Sequence, residues 1–132
     1  MCNVKELNKI GFFDEDFFLY WEDVFLEKKI NLSKYKMAIV INAFVQHDSS
    51  QSSKKNFKID FIRHSNFIYG ELVYEFKLNK LRFLKVFRKF FQNIFLFIFN
   101  ILIFQLKEAF KNIALINGIL KFIYFYLKKN NS

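Results

Sequence analysis

The chain has 132 residues, enough for one small domain with a modest core, and its single cysteine, Cys2, excludes an intramolecular disulfide framework and fits a reducing compartment. The net charge of +9 is unevenly spread: residues 1–76 hold ten Lys/Arg against eleven Asp/Glu, whereas residues 77–132 hold eleven Lys/Arg against Glu108 alone. That asymmetry points to an anionic partner for the tail, and the lack of Arg-rich clusters or a reading module favours lipid over nucleic acid.

In chain order, residues 4–10 read as the end of a helix stopped by Gly11. Residues 14–20 read as a turn feeding a helix over 22–33. Residues 36–46 (KMAIVINAFVQ) are rich in β-branched and aromatic types and read as extended, two short strands with a bend at Asn42. Residues 47–55 (HDSSQSSKK) are a loop. No internal repeat is visible, and the charged N-terminal segment has no signal-peptide character.

From residue 56 onward the pattern is helical, over about 56–76, 79–110 and 112–128, with Gly70 and Gly118 as weak points. The stretch 90–106 carries no charge for seventeen residues, the lower limit for a membrane span. Asn93, Asn100 and Lys107 recur every seven residues along one side, however. That stripe predicts a helix lying in the membrane interface or packed, with Lys85, Arg88, Lys89, Lys107 and Lys111 near headgroups, rather than a span.

The densest chemistry lies in residues 11–30 (GFFDEDFFLYWEDVFLEKKI). Two acidic clusters, Asp14-Glu15-Asp16 and Glu22-Asp23, flank the block Phe17-Phe18-Leu19-Tyr20-Trp21. Carboxylates beside large apolar side chains lose water and become candidates for proton transfer, and an apolar core gains nothing from an unpaired one. Trp21, Tyr20 and Phe18 offer faces on which a sugar ring can stack, or simply core. Asp14 and Glu15 are candidates for substrate contact and, more simply, for fixing the turn through backbone N–H groups.

Gly11-Phe12-Phe13-Asp14-Glu15-Asp16-Phe17-Phe18-Leu19-Tyr20-Trp21-Glu22-Asp23, followed by Ala43-Phe44-Val45-Gln46-His47-Asp48-Ser49-Ser50, resembles the late catalytic-domain signature of family 2 glycosyltransferases, rhamnosyltransferase-like members especially. The likeness is specific over about residues 1–55 and looser beyond, where Ile116-Asn117-Gly118-Ile119-Leu120 is similar to a late glycine-containing helix. Three positions depart from the pattern: Phe25 where an acid is usual, Lys29 for Arg, and Ile41 for Pro.

The resemblance implies an α+β, mostly α fold: the C-terminal portion of a GT-A catalytic domain (1–55) followed by a basic amphipathic helical tail (56–132). It implies that Asp23, with Glu22 beside it, is the base that deprotonates the acceptor hydroxyl in an inverting transfer. His47 would ligate a divalent Mn or Mg ion together with an Asp-x-Asp element. The sequence shows no such element outside the motif, and no phosphate-cradling Gly-rich loop. The expectation is therefore a C-terminal segment that binds no metal tightly and is inactive alone. The complete enzyme would move a sugar from a nucleotide-diphosphate donor to a lipid-linked or cell-surface glycan acceptor, from the inner face of the membrane, in cell-envelope polysaccharide synthesis. The alternative is a non-enzymatic membrane-surface protein binding anionic lipid through its amphipathic helices.

Overall fold

The computed structural model describes residues 4–35 and 56–131. Five helices follow one another: α1 (Val4–Lys9), α2 (Glu22–Leu32), α3 (Phe57–Lys77), α4 (Phe83–Leu102) and α5 (Leu106–Asn130). The α+β expectation is thereby corrected, because every regular element among the described residues is a helix and none is a strand. The physical reason lies in α3 and α5. Their apolar positions recur at helical spacing (Ile68, Leu72, Val73; Ile119, Phe122), so the two helices bury their stripes against each other without a sheet. The extended segment expected over 36–46 lies outside the described residues.

Both α3 and α4 pack on α5. The core joins Ile68, Leu72 and Val73 of α3 with Val86 of α4 and Ile119 and Phe122 of α5. Phe17, from the turn before α2, sits in the same cluster. The closest approach of α3 and α5 is at Gly118, where a side-chain carbon would run into the Ser65 carbonyl oxygen and Ile68. The glycine is required by that crossing. Beside it, the Asn117 amide donates to the Ser65 hydroxyl at 2.9 Å, giving the buried hydroxyl a partner.

Two helix ends share one hydrogen-bond pattern. At the end of α3, Asn79 adopts a left-handed conformation (φ 54°). Its N–H bonds the Phe76 carbonyl at 3.0 Å, and the Lys80 N–H bonds that of Glu75 at 2.9 Å. At the end of α4, Phe104 is left-handed (φ 57°), its N–H bonds the Ile101 carbonyl at 3.1 Å, and the Gln105 N–H bonds that of Asn100 at 2.8 Å. Both are Schellman closures, which satisfy carbonyls a helix end would leave orphaned. The second one breaks the helix expected over 79–110 into the α4–α5 hairpin. No Gly, Pro or Asn marks residues 103–105; the packing of α4 back on α5 imposes the turn. The uncharged stretch is thus split, and residues 90–102 extend only about 20 Å, short of the ~30 Å hydrocarbon core.

Candidate functional site

Gly11 ends α1 in the left-handed region (φ 70°), as its lack of a Cβ allows. The turn that follows is closed by Phe17 N–H to the Asp14 carbonyl at 3.1 Å and by Asp16 N–H to Asp14 Oδ1 at 3.0 Å. It is tied to the helical core by charge. The Lys77 ammonium, in the last turn of α3, contacts Asp14 Oδ2 at 2.9 Å and Asp16 Oδ2 at 2.6 Å, and Lys129 of α5 lies 3.6 Å from Asp16. Burial pushes the Asp14 carboxyl up, but the Lys77 hydrogen bond, the Asp16 N–H and the charges of Lys77 and Lys29 outweigh it and hold it below the ordinary carboxylate value. Burial likewise pulls Lys77 down, and its bonds to Asp16 and Asp14 raise it overall. Asp14 is thus a clamp residue. Glu15 is exposed and has no partner among the described residues.

Tyr20 and Trp21 follow in consecutive left-handed conformations (φ 68° and 71°), a placement that bulky residues adopt only at a cost. Trp21 is the N-cap of α2 and supplies no side-chain bond to its N–H groups. Its ring lies 5.3 Å from that of Tyr74 and 5.8 Å from that of Phe67, at the edge of the core. Tyr20 rests edge-on against Phe67 at 5.9 Å. Of the aromatic faces considered for a sugar, Trp21 is therefore committed to packing, while Phe18 is 78% exposed.

Glu22 and Asp23 occupy the first turn of α2, where the helix dipole favours negative charge. They differ in surroundings. Glu22 Oε2 is buried with no hydrogen-bond partner, as is the neighbouring Trp21 Nε1. Asp23 is exposed, its Oδ1 accepts from Val24 N–H at 2.8 Å, and no cation among the described residues pairs with it.

Two departures from the family pattern acquire a structural use. Phe25 packs on Phe17 at 5.3 Å and on Tyr74 at 6.3 Å, with the ammonium groups of Lys29 and Lys77 5.6 and 5.8 Å from its ring centre. Lys29 bonds the carbonyls of Gly11 and Phe12, so it ties α2 back to the turn. Ile41 and His47 lie outside the described residues. Among the described residues no three His, Cys, Asp or Glu converge as a metal-ligand set, and Asp14 and Asp16 hold the Lys77 ammonium.

Sequence reasoning missed Lys77, and it read Gly70 only as a weak point and Phe25 only as a departure from the pattern. Lys77 follows the acids it clamps by some sixty positions, and no local pattern signals such a pairing. Gly70 admits the Trp21 ring: a Cβ there would stand 2.9 Å from Trp21 Cδ1 and 3.1 Å from the Tyr20 carbonyl oxygen.

A second surface is apolar. Leu84, Phe87, Phe91, Phe95, Ile98 and Leu102 of α4 are all exposed and recur at spacings of three and four, one stripe facing away from the core. At the hairpin turn Phe104 is 87% exposed. Lys85 and Lys89, expected among headgroups, instead reach α3. Lys85 pairs with Glu75 and, at 3.3 Å, with Glu71, and Lys89 pairs with Glu71 at 2.7 Å. One helix, α5, is long and apolar enough to cross a membrane by length and composition, and it is also the helix on which α3 and α4 pack.

No family model matches the chain, and no curated protein or solved structure is similar to it.

Proposed function

We propose that the chain is the membrane-docked C-terminal segment of an inverting glycosyltransferase acting on a lipid-linked or cell-surface glycan. The donor would be a nucleotide-diphosphate sugar such as dTDP-rhamnose or a UDP-sugar. The observation that carries this reading is the contrast among the acids of one motif. Asp14 and Asp16 are spent on Lys77, whereas Asp23 stands exposed and uncompensated at the head of α2, directly after two left-handed aromatic residues. Strained backbone persists where the surroundings over-determine it, and it clusters at functional sites.

In the reaction, the acceptor hydroxyl oxygen attacks the anomeric carbon opposite the nucleotide diphosphate. The hydroxyl proton passes to the Asp23 carboxylate as the glycosidic bond forms and the nucleotide diphosphate departs with the electron pair of the broken bond. The exposed ring of Phe18 offers a face to the acceptor sugar. The outer stripe of α4 and the basic residues of the tail keep the segment on the inner, anionic face of the membrane, where such acceptors reside. The test is to join the chain to a nucleotide-binding half and compare Asp23→Asn with its parent. A first-turn acid that only favours the helix dipole loses little on becoming Asn, whereas a base loses its proton acceptor.

The α4 stripe also favours a second reading, a non-enzymatic membrane-surface protein. It accounts for the exposed apolar surface and gives no use to Asp23. Absence of transfer by the parent fusion itself, with vesicle binding intact, would select it.

A further inference from the structure

Two cavities meet on α3. One, of about 420 Å³, is lined by Tyr20, Asp60, Arg63, His64 and Phe67. The other, also about 420 Å³, lies between the first turns of α3 and α5, where Phe57 faces Lys107, Glu108 and Phe110. Both include Asp60 and His64, so they are two stretches of one groove. From Phe57 to Phe67 the groove follows ten positions of α3, about 15 Å at the helical rise.

Aromatic rings stand at both ends and polar groups between them. Tyr20 meets Phe67 edge-on at 5.9 Å, and Phe57 meets Phe110 edge-on at 5.6 Å. Phe57 and Phe67 are both exposed. Between the rings, no group among the described residues bonds the half-buried His64 side chain. The two acids are compensated within their own helices: Arg63 lies 3.9 Å from Asp60, and Lys111 lies 3.7 Å from Glu108. Those separations exceed a hydrogen bond, so the carboxylate oxygens keep lone pairs for other donors.

This lining selects a class of ligand. An anion meets Asp60 and Glu108, and a cation meets Arg63, Lys107 and Lys111, so each is repelled by part of the groove. An uncharged polyol gains from both signs. Its hydroxyls donate to the carboxylates and accept from the Lys107 ammonium, and with His64 they can do either. The apolar C–H faces of its pyranose rings lie on the exposed aromatic rings.

We propose that this groove holds an uncharged glycan chain of several sugar units, running along α3 from Tyr20 toward Phe57. On the reading of Asp23 as the base, that chain is the acceptor. Tyr20 precedes Asp23 by three positions, so their Cα atoms are at most about 11 Å apart. The terminal sugar hydroxyl is then at Asp23 while the preceding units fill the groove. The reaction is therefore elongation of an existing glycan, and an earlier glycosyl transfer must supply the acceptor.

Calorimetry on the full chain tests the groove without requiring transfer. The probes are linear rhamnose oligosaccharides and, in parallel, linear glucose oligosaccharides, each from monosaccharide to hexasaccharide, with a sulfated glucose hexasaccharide as the anionic arm. Affinity for at least one neutral series is expected to rise by about tenfold or more along the series, as successive contacts are made. Asp60→Ala is expected to weaken the hexasaccharide by about tenfold, the range for a hydrogen bond to a charged group. Phe57→Ala should weaken the hexasaccharide by about threefold or more, as for one aromatic contact. It should leave the disaccharide unchanged, because Phe57 stands at the end remote from Tyr20. Both side chains are exposed, so neither substitution opens the core. Lys121→Gln, outside the groove, should change nothing. Failure of both neutral series to bind, affinity independent of length, or tighter binding of the sulfated hexasaccharide would overturn the proposal. Unchanged binding by both Asp60→Ala and Phe57→Ala would do so as well. Length-dependent binding beside an Asp23→Asn fusion that still transfers would keep the glycan groove and remove the base reading alone.

Discussion

Among the described residues, left-handed aromatic residues occur in two places, and they are resolved in opposite ways. At Tyr20 and Trp21 the unfavourable backbone is covered: Trp21 packs on Phe67 and Tyr74 over Gly70, and Lys29, Lys77 and Lys129 fasten the flanking segments. At Phe104 the side chain stands exposed among the described residues. The corresponding turn after α3 uses Asn79, a residue suited to that conformation. A Phe in its place costs backbone energy and exposes a ring to water. The first site is strained for what it positions inside the protein, the second for what it presents outside.

The largest expected effect tests what the first site positions. In the enzyme completed by its nucleotide-binding half, Asp23→Asn should lower turnover by about 10²- to 10⁴-fold with donor affinity unchanged. A change within twofold or threefold in steady-state assays would reduce Asp23 to a residue that favours the helix dipole.

Next in size is Gly70→Ala, which strikes the cover of the first site. The new methyl group meets Trp21 and the Tyr20 carbonyl, and overpacking of this kind costs about 1–3 kcal/mol. Urea denaturation should show the loss. Full stability would mean that the Tyr20–Trp21 backbone relaxes without cost and is not held in place by α3.

Phe104→Asn addresses the second site and should act in two directions. Its left-handed position suits Asn, so stability in water should rise by up to about 1 kcal/mol. Partition onto anionic vesicles should fall by about tenfold, as expected when a ring worth about 1.5–3 kcal/mol of burial is removed. If flotation of Phe104→Asn matches the parent, the hairpin turn is not a membrane contact. Carbonate extraction at high pH should strip the parent chain, since residues 90–102 are too short to span and α5, though long enough, is the helix on which α3 and α4 pack.

The smallest effect is the pH response of the clamp. The folded-state value of Asp14 is depressed, so the stability it contributes is present above the ordinary carboxylate value and is lost as pH falls through the depressed one. Lys77 is raised, so its share is present below the ordinary lysine value and is lost only as alkaline pH passes the raised one. Thermal melts from pH 7 downward should decline on the acid side, and Lys77→Met should flatten that decline. An unchanged acid slope in Lys77→Met would remove the clamp.

Local structure was legible wherever the residue type matched its backbone. Gly11 stops α1, and the acids at Glu22 and Asp23 open α2. The break at Phe104 was not legible, because the packing of α4 on α5 decides it against the residue's own preference. Lys85 and Lys89 read as headgroup contacts because their partners, Glu71 and Glu75, come from the preceding helix. Phe25 read as a lost charge, and only the fold reveals the ring cluster that it completes. The motif itself was visible, whereas the division of labour within it depended on Lys77.

The position of α5 in the chain also bears on how the protein is made. The helices α3 and α4 leave the ribosome before the partner on which both pack, and the bond from Asn117 back to Ser65 closes a separation of 52 residues. Until α5 emerges, the apolar stripes of α3 and α4 are unshielded, and the clamp of Lys77 on Asp14 and Asp16 has no core beneath it. Early engagement of the nascent chain with a bilayer or a chaperone would shelter those stripes during that interval. Chains cut before Gly118 are accordingly expected to aggregate rather than form a smaller version of the fold.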